Sequence, residues 1–418
     1  MSIAEEDAAG RLPGAAAAVR QGDPEGRAAT LVIAAAVCAT AMSFNVWYPF
    51  LPLYALDLGA TSDANAIFWV AVAITVQGIA RLASSAVWGY MSDRYGRKLM
   101  VLRAMYLSSI TFAVAALASE PWHLSLALGC QGFFSGFIPA SVALVSVSVP
   151  DSRLNRSLSM VTGAQYLGTT TGPALGAALA LAVGYRGSIA VAAVVPLLAA
   201  TLVLLRVPRD QVGGMSPARA QGAASQLEPF RPSAQFVLAV LTLFSLYCML
   251  ELVRLATPIA LKALEGGGDV AGVAGLTFSL AGLASAISVL ALAPWLFNRG
   301  RMRTGMAMFC GLGAFGCALL AASSSVPVYV AGFLLIAVVI SSMVPAGNTL
   351  IAANVVRSRR GTGFGVAASV QALSFAIGPL AASFFAAVSL DLGFAVIAGL
   401  FLALGLVLLS AVREPPAG

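Results

Sequence analysis

Apolar stretches of membrane length fill this chain, and short polar islands separate them. Twelve such runs can be placed, with cores at 28–56, 65–90, 99–118, 122–149, 157–183 and 186–206, then 234–261, 271–297, 304–323, 326–352, 362–388 and 391–412. About 20 apolar residues carry a helix across the hydrocarbon core of a bilayer. The pattern predicts an all-α polytopic membrane protein with twelve transmembrane helices. Several runs exceed the minimum length, so tilted or kinked spans are expected.

Composition agrees. Of 418 residues, 59% are hydrophobic and 10% charged, against roughly 25% charged in a soluble domain. That many apolar residues cannot hide in one water-soluble core, and the solvent is the lipid bilayer. The net charge of +7 invites a nucleic-acid reading, but its distribution opposes one. With both termini in the cytoplasm, 20 of the 24 Lys and Arg fall on the cytoplasmic side. Only Arg186 and Lys262 fall outside, while the outer loops carry Asp57, Asp63, Glu120, Glu265, Asp269 and Asp391. This is the positive-inside asymmetry. It predicts a multi-pass protein of the cell inner (cytoplasmic) membrane with cytoplasmic termini, and no nucleic-acid partner. Residues 1–27 lack an apolar core followed by a cleavage site, so they read as a cytoplasmic tail rather than a signal peptide. Residues 413–418 form a second tail.

The prolines reveal a tandem repeat. Pro52 and Pro258, Pro121 and Pro327, Pro139 and Pro345, and Pro173 and Pro379 are all 206 residues apart. Gln165 and Gln371, and Gly172 and Gly378, keep the same offset. A proline bends a helix where it sits, so its position marks architecture. The chain therefore divides into two pseudo-symmetric six-helix bundles, 28–206 and 234–412, joined by a cytoplasmic linker at 207–233. Parallel repeats of this kind build transporters whose substrate site lies near the midplane between the halves.

One polar island stands out. Between the second and third runs, Gly89, Asp93, Arg94, Gly96, Arg97 and Lys98 spell G-x-x-x-D-R-x-G-R-K. A cluster this charged between two apolar runs predicts a tight cytoplasmic turn. The pattern, its place and the twelve-span repeat resemble the major facilitator superfamily. The resemblance implies a conformational latch on the cytoplasmic face. Gly89 and Gly96 permit close approach and a turn. Asp93 can accept from the start of span eleven near Gly361–Gly365, and Arg94, Arg97 and Lys98 can meet lipid phosphates or the other half. The plainer alternative is that the basic residues only hold the loop inside. The second half carries a decayed copy at 297–303, FNRGRMR, without the acid.

Span five presents Gly168, Gly172, Pro173 and Gly176. Small residues at i, i+4 and i+8 make one smooth face for close packing. The spacing is similar to a signature of exporters in the same superfamily, where this face is held to seal the cavity against leak; generic small-residue packing is the alternative. Pro49 and Pro52 before Tyr54 and Gly59 resemble the first span of its twelve-span drug:proton antiporters, and WGYMSDRYGRKLMVLR and SGFIPASVAL resemble their bacterial multidrug-efflux branch. There is one departure. That family often ties proton coupling to an arginine three residues before a Gln-Gly pair in span four. Here the pair is Gln131-Gly132 and the arginine's place is held by Leu128.

The charges within spans therefore become central. Glu251 is the one carboxylate deep inside a run, and Arg254 follows three residues later on the same helical face. Charged groups at such depth are costly and mark function by default. By the repeat, Glu251 maps to Asn45 and Arg254 to Tyr48. Glu251 could exchange a proton, bind a cationic substrate, or form a structural ion pair with Arg254. Arg81 in span two is a further candidate for coupling or substrate, with Gln131. Gln165 and Gln371 either line the cavity or glue helices together. Trp47, Tyr48, Phe134, Phe137, Tyr166, Tyr247 and Phe375 could furnish an adaptable apolar site. His123, the sole histidine, reads as an interfacial outer-loop residue.

Several classes are excluded. Neither lysine stands in a GK[ST] phosphate loop, and no credible catalytic or metal-ligating constellation exists, so neither an enzyme nor a cofactor or metal site is expected. The five cysteines lie in apolar runs without CxxC spacing and read as buried free thiols. The reading that results is a monomeric secondary transporter, using protons as coupling ion to expel amphipathic drugs or related small-molecule substrates by alternating access. A carrier for a specific metabolite, siderophore or natural product is the alternative on the same fold. A non-transporting receptor or scaffold is the alternative from another class.

Overall fold

The computed structural model describes residues 24–149, 151–208, 232–266, 270–292, 301–355 and 360–412. The two tails, most of the linker at 207–233 and half of the island copy at 297–303 lie outside them. Among the described residues every regular element is helical. Span one is Pro24–Trp47, a turn at Tyr48–Phe50 and Leu51–Asp57; span two is Asp63–Tyr95 and span three Arg97–Ala116. Span four is His123–Phe134 and Phe137–Ser148. Asp151–Arg206 forms spans five and six. Spans seven to twelve are Ala234–Glu265, Val270–Ile287 with a π turn at Ser288–Leu292, Met302–Ala321, Val326–Ala353, Arg360–Val388 and Leu390–Ala411.

Among the described residues eleven helical runs are long and apolar enough to cross a membrane, and the 51-residue run Arg156–Arg206 breaks at Gly184. There φ is +73°, a conformation that glycine adopts without the Cβ penalty. Twelve spans result. Span one bends where Pro49 and Pro52 enter it. Span four is interrupted at Ser135 and Gly136, the latter at φ +115°. Ser62, Ser233 and Ser389 cap spans two, seven and twelve, each accepting from the backbone N–H three residues on.

The polar island differs from the turn that the sequence predicts. Span two stays helical through Tyr95, and only Gly96, at φ +98°, separates it from span three. Most of the island is thus the last helical turn of span two and the first of span three.

Spans one, five and six pack together, as do two with four and three with six; in the other half nine packs with ten and twelve, and seven with ten and eleven. The bundles meet through span two on eleven and span five on eight, pairs that the repeat exchanges. We call the end of the molecule where the described chain starts at Pro24 and stops at Val412 the terminal end, and the opposite one the distal end.

Candidate functional site

The repeat is visible at atomic contacts. A Cβ added to Gly172 would stand 2.7 Å from Asn45 Cβ and from the Met42 carbonyl oxygen; one added to Gly378 would stand 3.1 Å from Glu251 Cβ and 3.0 Å from the Cys248 oxygen. These contacts map onto each other through the offset of 206. Gly168 and Gly176 likewise lie against the backbone of Cys38 and Val46. The glycine stripe of span five thus seats span one inside its own bundle. Its neighbours on span five, Thr170, Pro173 and Ala177, face the other bundle, where Gly282 and Gly275 of span eight approach them. The stripe does not itself seal the gap between halves.

At mid-span the halves are joined by a polar chain. Gln131 accepts from Gln77 Nε2 at 2.6 Å, and Gln77 Oε1 accepts from the Tyr48 hydroxyl at 3.4 Å. Arg254 of the second bundle stands over the Tyr48 ring, its Cζ 4.3 Å from the centroid. Arg254 Nη1 donates to Glu251 Oε1 at 3.4 Å. Tyr48 and Arg254 are equivalent positions of the two repeats. A residue that touches its own repeat mate lies on the axis relating them, so this contact marks the centre of the molecule. Glu251 is 1% exposed. Arg81, one turn along span two from Gln77, lies close enough to Glu251 and Tyr48 to interact with both electrostatically. Phe44 stacks on Tyr48 at 4.8 Å, and Trp47 meets Phe112 edge-on at 5.2 Å.

Sequence reasoning named Glu251, Arg254, Tyr48, Arg81 and Gln131 and missed Gln77. The signal was present: Gln77 is a glutamine inside an apolar run, four residues before Arg81 on one helical face. Asn45 does not join the chain, since its amide donates to the Ala41 carbonyl of its own helix at 2.8 Å. Gln165 and Gln371 are half-buried on spans five and eleven, apart from the chain. Leu128 is buried.

The distal and terminal ends differ. At the distal end Lys262 Nζ of the second bundle contacts Asp63 Oδ1 of the first at 2.6 Å. Deeper, Thr75 donates to the Ala376 carbonyl at 2.7 Å, and a Cβ at Gly78 would stand 3.3 Å from the Ala372 oxygen. Past this level, toward the terminal end, the same faces are uncovered. Leu82 and Ser85 on span two are exposed, as are Ala368, Ser369 and Gly365 on span eleven. A Cβ at Gly163 or Gly365 would meet no atom within 4 Å, and Tyr166 is 54% exposed. The bundles are closed together distally and diverge toward the terminal end.

Lys98 and Arg94 of the polar island make contacts inside the first bundle. Lys98 is buried and donates to the carbonyls of Leu204 and Val207, at 2.9 and 2.6 Å, capping the C-terminus of span six. The driving force is the row of unpaired carbonyls that ends a helix, which favours a cation. Arg94 is exposed and donates to the Tyr90 hydroxyl at 3.4 Å, with its guanidinium 5.6 Å from the Tyr95 ring; Arg97 begins span three. Gly89 and Asp93 lie in the span-two helix. The Asp93 side chain and the Gly361 surroundings lie outside the described residues.

Two side readings change. Cys130 is exposed and Cys38 and Cys248 are half-buried, so only Cys310 and Cys317 are buried thiols; all five are free. His123 Nδ1 accepts from the backbone N–H groups of Ser119 and Glu120, fixing the loop before span four.

Two helical bundles meeting on an axis, with ionised groups at the centre and a gap open to one end, define a membrane carrier. A sequence profile of the Major Facilitator Superfamily matches residues 33–337 and 270–418. The chain belongs to that superfamily of transporters, which are not enzymes. It is 27% identical over 356 residues to the multidrug resistance protein MdtG of Proteus mirabilis, covering 83% of this chain and 86% of that one. It is 35% identical over 138 residues to a homolog of the multi-drug resistance efflux pump PmrA of Lactococcus lactis, about a third of each chain. Among solved structures, the nucleoside transporter NupG superposes with a TM-score of 0.73 at 12% identity over 91% of this chain and all of that one. The human organic anion transporter MFSD10 gives 0.65 at 19% identity, over 93% of this chain and all of that one. These identities carry the fold alone.

Proposed function

We propose that this chain is a proton-coupled exporter of amphipathic small molecules, working by alternating access. The observation that carries the reading is the Tyr48–Arg254–Glu251 contact on the axis between the bundles, beside a gap closed at one end and open at the other. Rocking of the two bundles around this central site exposes it to each side in turn. Glu251 is the group through which a proton exchanges, because a carboxylate covered in an apolar span is ionised only while its partner cation holds it. Relatives named as multidrug pumps support efflux of amphipathic compounds.

The charge distribution supports an inner-membrane protein with both termini in the cytoplasm; the open end is then cytoplasmic and the conformation inward-facing. The bundles are 28–206 and 234–412, joined by the linker 207–233, and the working unit is a monomer. Gly89, Asp93, Arg94, Gly96, Arg97 and Lys98 form the cytoplasmic latch, and Gln165 and Gln371 face the cavity when the bundles rock.

Purified protein in vesicles with an imposed pH gradient tests the reading, using a set of amphipathic dyes of negative, zero and positive charge. Glu251→Gln, at equal protein level, abolishes gradient-driven movement while leaving exchange of dye for dye. Unimpaired gradient-driven transport by this variant would exclude the coupling role. No movement of any dye by the unaltered protein would favour a receptor.

A further inference from the structure

The ionised groups at the centre do not balance. At mid-span the charged residues are Arg81, Arg254 and Glu251. Glu251 is already paired, with 2% of its side chain exposed, whereas Arg254 keeps 24% of its own. Arg81 is half-buried; its Nε is enclosed without a hydrogen-bond partner, and among the described residues no carboxylate forms an ion pair with it. It lies one turn along span two from Gln77, whose amide accepts from the central Tyr48 hydroxyl. A molecule that enters from the open end therefore finds cations within reach and the carboxylate covered. With Glu251 ionised the cluster has one net positive charge, and with Glu251 protonated it has two.

A cation in this place is repelled, and an acidic group is attracted, because an arginine whose Nε is enclosed without a partner gains most from an anion that replaces lost water. The planar fork of arginine also suits a carboxylate, sulfonate or phosphonate. One turn from Glu251 toward the open end, Tyr247 lies 6.3 Å from Phe375 of span eleven. Both rings are half-buried, an apolar wall for the rest of the molecule.

We propose that the central site takes amphipathic molecules that carry an acidic group, with Arg81 as the anchoring cation. This rests on reading the centre as the transport site. Proton exchange at Glu251 and anion binding at Arg81 then occur at separate groups. An inside-negative membrane potential drives such an anion outward.

Two fluorescent probes that share their rings test the assignment: anilinonaphthalene sulfonate and its uncharged counterpart N-phenylnaphthylamine. Their binding is measured on the full chain in lipid nanodiscs, with empty nanodiscs subtracted and ethidium as the cationic comparator. The unaltered protein binds the sulfonate about tenfold or more tighter than the neutral probe. Arg81→Gln brings the two affinities together by weakening the sulfonate alone, and Arg81→Lys keeps most of the preference. The assignment is overturned if the unaltered protein fails to bind the sulfonate, binds it no better than the neutral probe, or prefers ethidium. It is overturned too if Arg81→Gln weakens both probes equally, which marks a structural role, or leaves the preference intact. The coupling reading fails by a different result, unimpaired gradient-driven transport in Glu251→Gln, which leaves the probe preference untouched.

Discussion

The Arg254 guanidinium carbon lies 4.3 Å from the centre of the Tyr48 ring, and the two residues occupy the same position in the two repeats. This is the contact that joins the bundles at their axis. Tyr48→Phe keeps the ring and loses only the long hydrogen bond to Gln77. Tyr48→Leu removes the cation–π attraction, worth about 0.5–2 kcal/mol depending on how dry the site is. Dye transport in vesicles is expected near the unaltered rate for Tyr48→Phe and several-fold lower for Tyr48→Leu. Equal losses in both would mean that the hydroxyl, not the ring, carries the contact.

Gly176 offers a stability test. A Cβ there would collide with the Val46 carbonyl oxygen, and Phe50 Cε2 would stand 2.9 Å away. Backbone cannot yield as a flexible side chain can, and overpacking of this kind costs about 1–3 kcal/mol. Gly176→Ala should lower the thermal midpoint of the purified protein, whereas Gly163→Ala, which meets open space, should leave it in place. A midpoint unmoved by Gly176→Ala would mean that spans one and five are not in backbone contact.

Lys98 supplies a third. Its ammonium donates to the last carbonyls of span six, and hydrogen bonds to charged groups contribute about 1.5–3 kcal/mol. Lys98→Met should destabilise the first bundle by an amount of that order, read as a lower thermal midpoint, and Lys98→Arg should recover part of it. A midpoint unmoved by Lys98→Met would mean that the ammonium does not hold the end of span six.

At the distal end, Asp63 and Lys262 keep 45% and 42% of their side chains exposed. Exposed pairs contribute only about 0–1 kcal/mol, so Asp63→Asn should change stability little. The pair still bridges the two bundles. Asp63→Cys with Lys262→Cys, joined by a short thiol cross-linker, should stop transport, and a reducible linker should restore it on reduction. Continued transport with the linker in place would show that this end need not open.

Pattern alone determined the membrane class, the twelve spans and the repeat. Lipid leaves a long apolar run no other solution than a helix, and proline marks its site wherever it falls. The gaps between the runs 157–183 and 186–206, and between 65–90 and 99–118, were legible because an apolar run is either interrupted or it is not. Glu251, Arg254 and Arg81 were legible because a charge at membrane depth is rare enough to be conspicuous.

What the tertiary structure decided is which surfaces meet. The same small-residue face of span five could have packed on span eight; it packs on span one, because the backbones of Cys38, Met42 and Val46 come close enough to fill it. Nothing in the sequence links Lys98 to span six, yet its ammonium donates to the carbonyls there. Gln77 was one polar residue among many until Tyr48 and Gln131 closed on it from two other spans. Partners distant in the chain are set by how helices rotate and cross, and periodicity along one helix carries no information about its neighbour's rotation.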